Sequence, residues 1–220
     1  MTPTLRTARM TLTPYRPEDE DAFVGLLRDE EVCRWMGQER APEADLRAVF
    51  KVIMDEIYPQ HRFDLWAVWL DGAYVGHAEI KKTGNVDGYE MIAAFVRDSW
   101  GKGLGSELVR ELIRYAARTL GVDRVYGMVG AENAASLALC ARLGFTFVRD
   151  VVGDDGSVTK MLVVPTGAAP SETAPSQAPN EAAPSQAPNE AAPKEATDPA
   201  TDPAEGAPGR EPALPPGPQS

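Results

Sequence analysis

Two cysteines, Cys33 and Cys140, and two histidines, His61 and His77, are too few and too scattered to make a structural metal set. No apolar run approaches the roughly 20 residues that a membrane-spanning helix needs. The first residues also lack the basic-then-apolar pattern of a secretory leader. The expectation is a soluble cytoplasmic protein with reduced thiols, no metal and no membrane partner. Basic charge is scarce as well, with 22 Lys and Arg against 33 Asp and Glu and a net charge of −11. An acidic chain is a poor nucleic-acid binder. It suits a cationic substrate such as an amine, and it also serves plain solubility.

Residues 166–220 lack more. They hold no aromatic residue and one leucine, Leu214, whereas 14 of the 19 prolines lie at or after Pro165. Such a stretch cannot bury enough apolar area to offset the entropy of ordering it, so it reads as a disordered tail. A nine-residue tandem repeat fills 174–182 and 183–191, and Thr-Asp-Pro-Ala recurs at Thr197 and Thr201. No position in these repeats carries a core residue, which makes them low-complexity sequence, a spacer or partner-binding arm. The tail carries a net charge of −6, which leaves −5 for the folded part, residues 1–165.

What is present in 1–165 is periodic. Residues 5–14 partly alternate and read as one strand. Pro17 followed by Glu18, Asp19, Glu20 and Asp21 starts a helix, with Phe23, Leu26 and Leu27 as its buried stripe. A second helix follows Pro42, its apolar face made of Leu46, Val49, Phe50, Ile53, Met54 and Ile57. The connection between them, 29–40, carries Trp35 and Met36 and reads as a loop that could line a substrate pocket. Strands follow over 65–70 and 74–80, joined by an Asp71-Gly72 hairpin turn, and then over 89–96.

The stretch Trp100-Gly101-Lys102-Gly103-Leu104-Gly105-Ser106 comes next and leads into an amphipathic helix over 104–120. Glycines let the backbone turn tightly and approach a ligand, and a helix start points unpaired N–H groups into the loop. Between a buried strand and such a helix, this predicts a phosphate or pyrophosphate site. A strand over 124–129 follows, then a helix over 134–143 capped by Asn133 and ended by Gly144. Strands over 145–151 and 158–164 close the pattern around Asp154-Asp155-Gly156. The order predicts an α/β (α+β) fold, a single domain whose mixed, mostly antiparallel central sheet is flanked by helices.

This arrangement resembles the GNAT superfamily of N-acetyltransferases over essentially all of 4–164. The opening Leu5-Arg6-Thr7-Ala8-Arg9-Met10-Thr11-Leu12, with Asp29-Glu30-Glu31-Val32 and Trp35-Met36, is similar to the RimJ/RimL branch, which acetylates protein N-termini and small amines. Residues 100–105 resemble the superfamily's pyrophosphate loop. Asn133-x-x-Ser136 and Leu143-Gly144-Phe145 resemble its late helix and strand junction. Trp100 stands where many members have Gln or Arg, and Trp is usual in the RimJ/RimL branch. Cys140 stands where many members carry a tyrosine acting as general acid.

The resemblance implies transfer of the acetyl group of acetyl-CoA to a primary amine, a protein N-terminus or a small molecule, in a ternary complex. It implies that the strand ending at Phe95 and Val96 splays from the strand over 124–129, so that backbone near 93–96 bonds the cofactor arm. Gly101, Lys102, Gly103, Leu104, Gly105 and Ser106 would bind the diphosphate. Asn133 would contact the arm or simply cap its helix. Glu90 is the first candidate for the general base, ahead of Glu79 and His77. Ser136 matches the residue placed near the leaving sulfur, and Cys140 is a second candidate acid or else apolar filler. A non-catalytic acyl-CoA-binding or regulatory module is the alternative function. A homodimer is left open.

Overall fold

The computed structural model describes residues 1–167. The expectations for the tail beyond them, its disorder included, lie outside the described residues. The strands are β1 (Leu5–Arg6), β2 (Met10–Thr13), β3 (Asp64–Leu70), β4 (Ala73–Lys82), β5 (Tyr89–Phe95), β6 (Arg124–Gly130), β7 (Thr146–Val152) and β8 (Val158–Pro165). They form one sheet in the order β1-β2-β3-β4-β5-β6-β8-β7. Neighbours are antiparallel except β5 and β6, which are parallel and meet at one paired position, Glu90 with Tyr126.

The helices are α1 (Glu20–Arg28), α2 (Glu30–Met36), α3 (Glu43–Val52), α4 (Tyr58–Gln60), α5 (Leu104–Tyr115) and α6 (Ala134–Arg142). π-helical turns, Ile53–Ile57 and Ala116–Leu120, prolong α3 and α5.

Strand alternation builds two cores on opposite faces of the sheet. Trp66 and Val68 of β3 face one core with Ile80, Met91 and the stripe Leu104, Leu108 and Leu112 of α5. Leu65 and Ala67 face the other with Phe23 and Leu27 of α1, Leu46 and Phe50 of α3, and Ile53 and Ile57. Each leucine of the α5 stripe is almost wholly buried, contributing about 1.5–3 kcal/mol. At the sheet edge, β7 leaves Phe147, Val148 and Val152 exposed.

Two expectations change. The strand over 5–14 is a hairpin, with Leu5 opposite Leu12 and Arg6 opposite Thr11. Its turn is held by Thr7, whose N–H reaches the Met10 carbonyl and whose hydroxyl accepts from the Met10 N–H. The connection over 29–40 contains helix α2 rather than a loop throughout. Asp29 caps it, accepting from the N–H groups of Glu31 and Val32. The Asp29 carboxylate also accepts from Arg97 Nε at 2.8 Å, so the start of α2 is fixed to the segment just beyond β5.

Candidate functional site

The glycine loop is shaped by two left-handed residues, Gly101 and Gly103, both at φ +74°. Gly103 is the N-cap of α5 and has no side chain to close the helix end. The N–H groups of Leu104, Gly105 and Ser106 therefore lack intrahelical acceptors and carry the positive end of the helix dipole. The Leu104 side chain is buried in the core, which anchors the first turn while its amide faces the loop. Gly105 has a different role. A Cβ there would come within 2.8 Å of Leu139 Cδ1, so this glycine lets α5 approach α6.

The β1–β2 turn braces this loop. Arg9 donates from Nε to Glu107 Oε2 at 2.7 Å and from Nη1 to the Lys102 carbonyl at 3.0 Å. Its backbone N–H reaches Glu107 Oε1 at 2.7 Å, and the Thr7 hydroxyl donates to the same oxygen. Partial burial raises the Glu107 pKa, but the bonds from Thr7 and Arg9 outweigh it and hold the carboxyl below its ordinary range. Lys102 itself is exposed.

Beyond Glu90 and Tyr126, β5 and β6 part. Val96 donates its N–H to the Val75 carbonyl at 3.0 Å, which fixes the alternation of the β4–β5 ladder. Residues 92, 94 and 96 then turn their backbone groups to β4, and Ala93 and Phe95 turn theirs towards β6. The Phe95 carbonyl accepts from the Trp100 indole at 2.7 Å. So Val96 N–H and Phe95 C=O already have partners, which narrows the free backbone groups that the resemblance implied near 93–96. The groups left facing the gap are both backbone groups of Ala93 and the N–H of Phe95. On one face α5 packs against β5, with Leu139 of α6 against its Gly105. On the other, α2 packs against β5 and β6, bringing Val32 against Ala94.

The candidate bases stand on one face of β4 and β5. Glu79 is 3 % exposed; His77 Nε2 lies 2.8 Å from its Oε1, and Lys81 Nζ lies 2.6 Å from its Oε2 as an ion pair. His77 Nδ1 meets the Tyr15 hydroxyl at 2.9 Å, which meets that of Tyr74 at 2.9 Å. Burial pushes the Glu79 pKa up, but Lys81 and His77 overcome it and pull the carboxyl down to about 2. A carboxylate that holds protons so weakly is a poor base. Glu90 is 5 % exposed, opposite Lys81 in the ladder and at the closed end of the gap. Its Oε2 accepts from the Thr83 hydroxyl at 2.7 Å and Asn85 Nδ2 at 3.2 Å.

Asn133 follows the open end of the gap, just past β6, and accepts from the Ser136 N–H at 3.0 Å. Ser136 is half-buried on the first turn of α6. Cys140 is buried, and burial pushes its thiol up, which makes it a weaker proton donor. No hydrogen bond joins Glu90 to Ser136 or Cys140 among the described residues. The structure thus places Phe95, Gly101, Gly103, Leu104 and Ser106 around the loop and gap, Asn133 and Ser136 beyond the end of β6 at the start of α6, and Glu90 at the far end.

Sequence reasoning missed Thr7, Arg9 and Glu107. The first two lie inside the opening over 5–12, and Glu107 is a polar position of the amphipathic helix with no local signal of a partner. Among the described residues there is no group of three or more His, Cys, Asp or Glu able to hold a metal, and no helix long and apolar enough to cross a membrane.

The geometry fits an extended ligand with an anionic end: main-chain groups along β5 for the extended part and an uncapped helix start for the anion. Comparison with known proteins gives the same direction. Residues 9–146 match the acetyltransferase (GNAT) domain family. The FsC-acetyl coenzyme A-N(2)-transacetylase of Aspergillus fumigatus is 30% identical over 155 residues, which cover 66% of this chain and 66% of that protein. The N-acetyltransferase YoaA of Bacillus subtilis is 26% identical over 152 residues, covering 66% of this chain and 84% of that protein. Among solved structures, the spermidine N-acetyltransferase of Vibrio cholerae bound to CoA and spermine superposes with a TM-score of 0.64. It is 15% identical and covers 73% of this chain and 98% of its own, a likeness of fold. The chain belongs to the GNAT family of acetyltransferases.

Proposed function

We propose that this acetyl-CoA-dependent acetyltransferase moves the acetyl group to a primary amine, a protein N-terminus or a small molecule, by direct transfer with both substrates bound. The observation that carries this reading is the gap between β5 and β6, which opens beyond Glu90 and Tyr126 beside the uncapped start of α5. The amides of Gly101, Gly103, Leu104, Gly105 and Ser106 bind the diphosphate, with Lys102 adding exposed charge. The free groups of Ala93 and the N–H of Phe95 hold the extended arm as an added strand would, while Val96 keeps the end of β5 in register with β4. An N–H of β5 that faces the gap also steadies the carbonyl oxygen as charge builds on it.

Glu90 accepts the amine's proton through a water, because its buried carboxylate stands at the closed end of the gap. Ser136 holds the proton that the departing sulfur takes up, and Asn133 fixes the first turn of α6 that carries it. Cys140, a raised and buried thiol, fills space beneath that turn. The acceptor enters on the face of the gap that α2 covers. Relatives are named for acceptors as different as spermidine and FsC, which is consistent with an amine and does not choose one. The RimJ/RimL branch is part of this proposal and rests on the opening over 5–12 and on Trp100.

The test is to incubate the protein with acetyl-CoA and a panel of polyamines, amino sugars and N-terminal peptides, and to measure free thiol. Release with one class of amine is the expected result. CoA binding by calorimetry without release from any amine would favour a non-catalytic acyl-CoA module, and absence of CoA binding would overturn the reading.

A further inference from the structure

The β1–β2 turn lies almost a hundred residues from the glycine loop in sequence, yet Arg9 joins the two. Its side chain reaches the loop and the first turn of α5 at once, through Nη1 to the Lys102 carbonyl at 3.0 Å and through Nε to Glu107 at 2.7 Å. Its Nη2 lies 3.8 Å from where a Cβ on Gly103 would stand, so the guanidinium lies alongside the left-handed residue that starts α5. Glu107 is also gripped from the other side by the Arg9 backbone N–H and the Thr7 hydroxyl. Glycine loops are conformationally free, and each residue left unfixed adds an ordering cost when a ligand binds. A loop held before binding escapes most of that cost.

We infer that Arg9 is a positioning residue for the cofactor, holding the 101–103 turn in its anion-binding shape through the Lys102 carbonyl and Glu107. This rests on reading the loop as the diphosphate site. Because Glu107 neutralises the guanidinium, the contribution of Arg9 is shape more than charge. Thr7 and Glu107 belong to the same device. The N-terminal hairpin is therefore a working part of the cofactor site, although no residue in it faces the gap between β5 and β6.

The test measures CoA binding by calorimetry for the full chain carrying Arg9→Ala, Arg9→Lys, Glu107→Gln or Gly103→Val, together with the unfolding temperature of each. Arg9→Ala should raise the CoA dissociation constant tenfold or more, with the maximal rate at saturating acetyl-CoA changed less than twofold. Arg9→Lys, which can keep a pair with Glu107 but not both reaches, should fall between Arg9→Ala and the parent. Acetyl-pantetheine, which lacks the diphosphate, should compete equally well with Arg9→Ala and with the parent. A general distortion would weaken both ligands. Equal CoA affinity of Arg9→Ala and the parent, with Gly103→Val abolishing binding, would overturn the role of Arg9 alone. If Gly103→Val also binds CoA normally, the diphosphate assignment itself fails. Should Arg9→Ala not fold, Arg9→Lys and Glu107→Gln decide the matter by the same affinity measurement.

Discussion

Trp100 donates its indole N–H to the carbonyl oxygen of Phe95 at 2.7 Å, tying the last residue of β5 to the first residue of the glycine stretch. The ring is 40 % exposed, so the bond shapes the loop more than it fills a core. Trp100→Phe should keep the fold, with a loss of about 1 kcal/mol or less in stability. It should also weaken CoA binding severalfold, because the turn into Gly101 loses its tether. Calorimetry and thermal unfolding of the same variant separate the two effects.

Gly76 and Gly105 are both crowded, with different consequences. A Cβ on Gly76 would stand 2.3 Å from the Ala94 carbonyl oxygen, a backbone atom with nowhere to go. A Cβ on Gly105 would meet only the end of the Leu139 side chain. Gly76→Ala should therefore cost several kcal/mol, at the upper end of overpacking effects or about 3 kcal/mol. Gly105→Ala should cost about 1 kcal/mol or less, and adding Leu139→Ala should relieve the clash. Urea unfolding of the three variants measures this.

The Glu79 carboxyl, pulled down from 4.5 to about 2, makes acid stability testable. A depressed carboxyl contributes stability that is complete above its unfolded value near 4.5 and is lost as pH falls towards 2. The full contribution is about 3 kcal/mol. Glu79→Gln should lower stability at pH 7 by about 3 kcal/mol, because Lys81 loses its buried partner, and should flatten the decline between pH 4.5 and 2. Unfolding at a series of pH values checks both the size and the window.

The proton-transfer assignments separate by turnover. Glu90→Gln should lower the maximal rate by about a hundredfold or more at neutral pH with little change in CoA affinity. Ser136→Ala should lower it by about tenfold or more. Cys140→Ala should leave it within about twofold and cost about 1–2 kcal/mol of stability for the small space left behind. A large loss of rate in Cys140→Ala would return the thiol to the mechanism.

Much of this domain could be read from periodicity. The α5 stripe, the Asp71-Gly72 turn and the Asn133 cap each follow from local rules, and all are where those rules put them. Two local signals were weaker than they looked. The alternation over 5–14 continued across Thr7, Ala8 and Arg9 with no glycine or proline to mark the turn, so one strand stood for two. Over 29–40, α2 is only two turns long, too short for an apolar period to emerge. Its start was nonetheless written in Asp29 followed by Glu30 and Glu31.

The site was legible where it depends on backbone and illegible where it depends on long-range pairing. Glycine spacing gave the loop, but nothing near Glu107 announces that a residue at position 9 will grip it. Likewise, the order of acids along β4 and β5 made Glu79 and Glu90 look alike. Only the neighbours His77 and Lys81 for one, and Thr83 and Asn85 for the other, tell a carboxylate locked in ion pairs from one at the closed end of the gap.

The single meeting of β5 and β6 at Glu90 and Tyr126 gives this sheet an inner edge. The groups along Ala93 are those of an edge strand, able to pair with any extended chain, yet they lie mid-sheet with helices on both faces. An exposed edge of that kind invites aggregation; one covered by α2 on one face and α5 on the other admits only something thin. Because main chain makes that surface, the exposed side chain at Ala93 is free to change so long as it stays small. Amides there should exchange with solvent like those of a sheet border, and slow when the gap is filled.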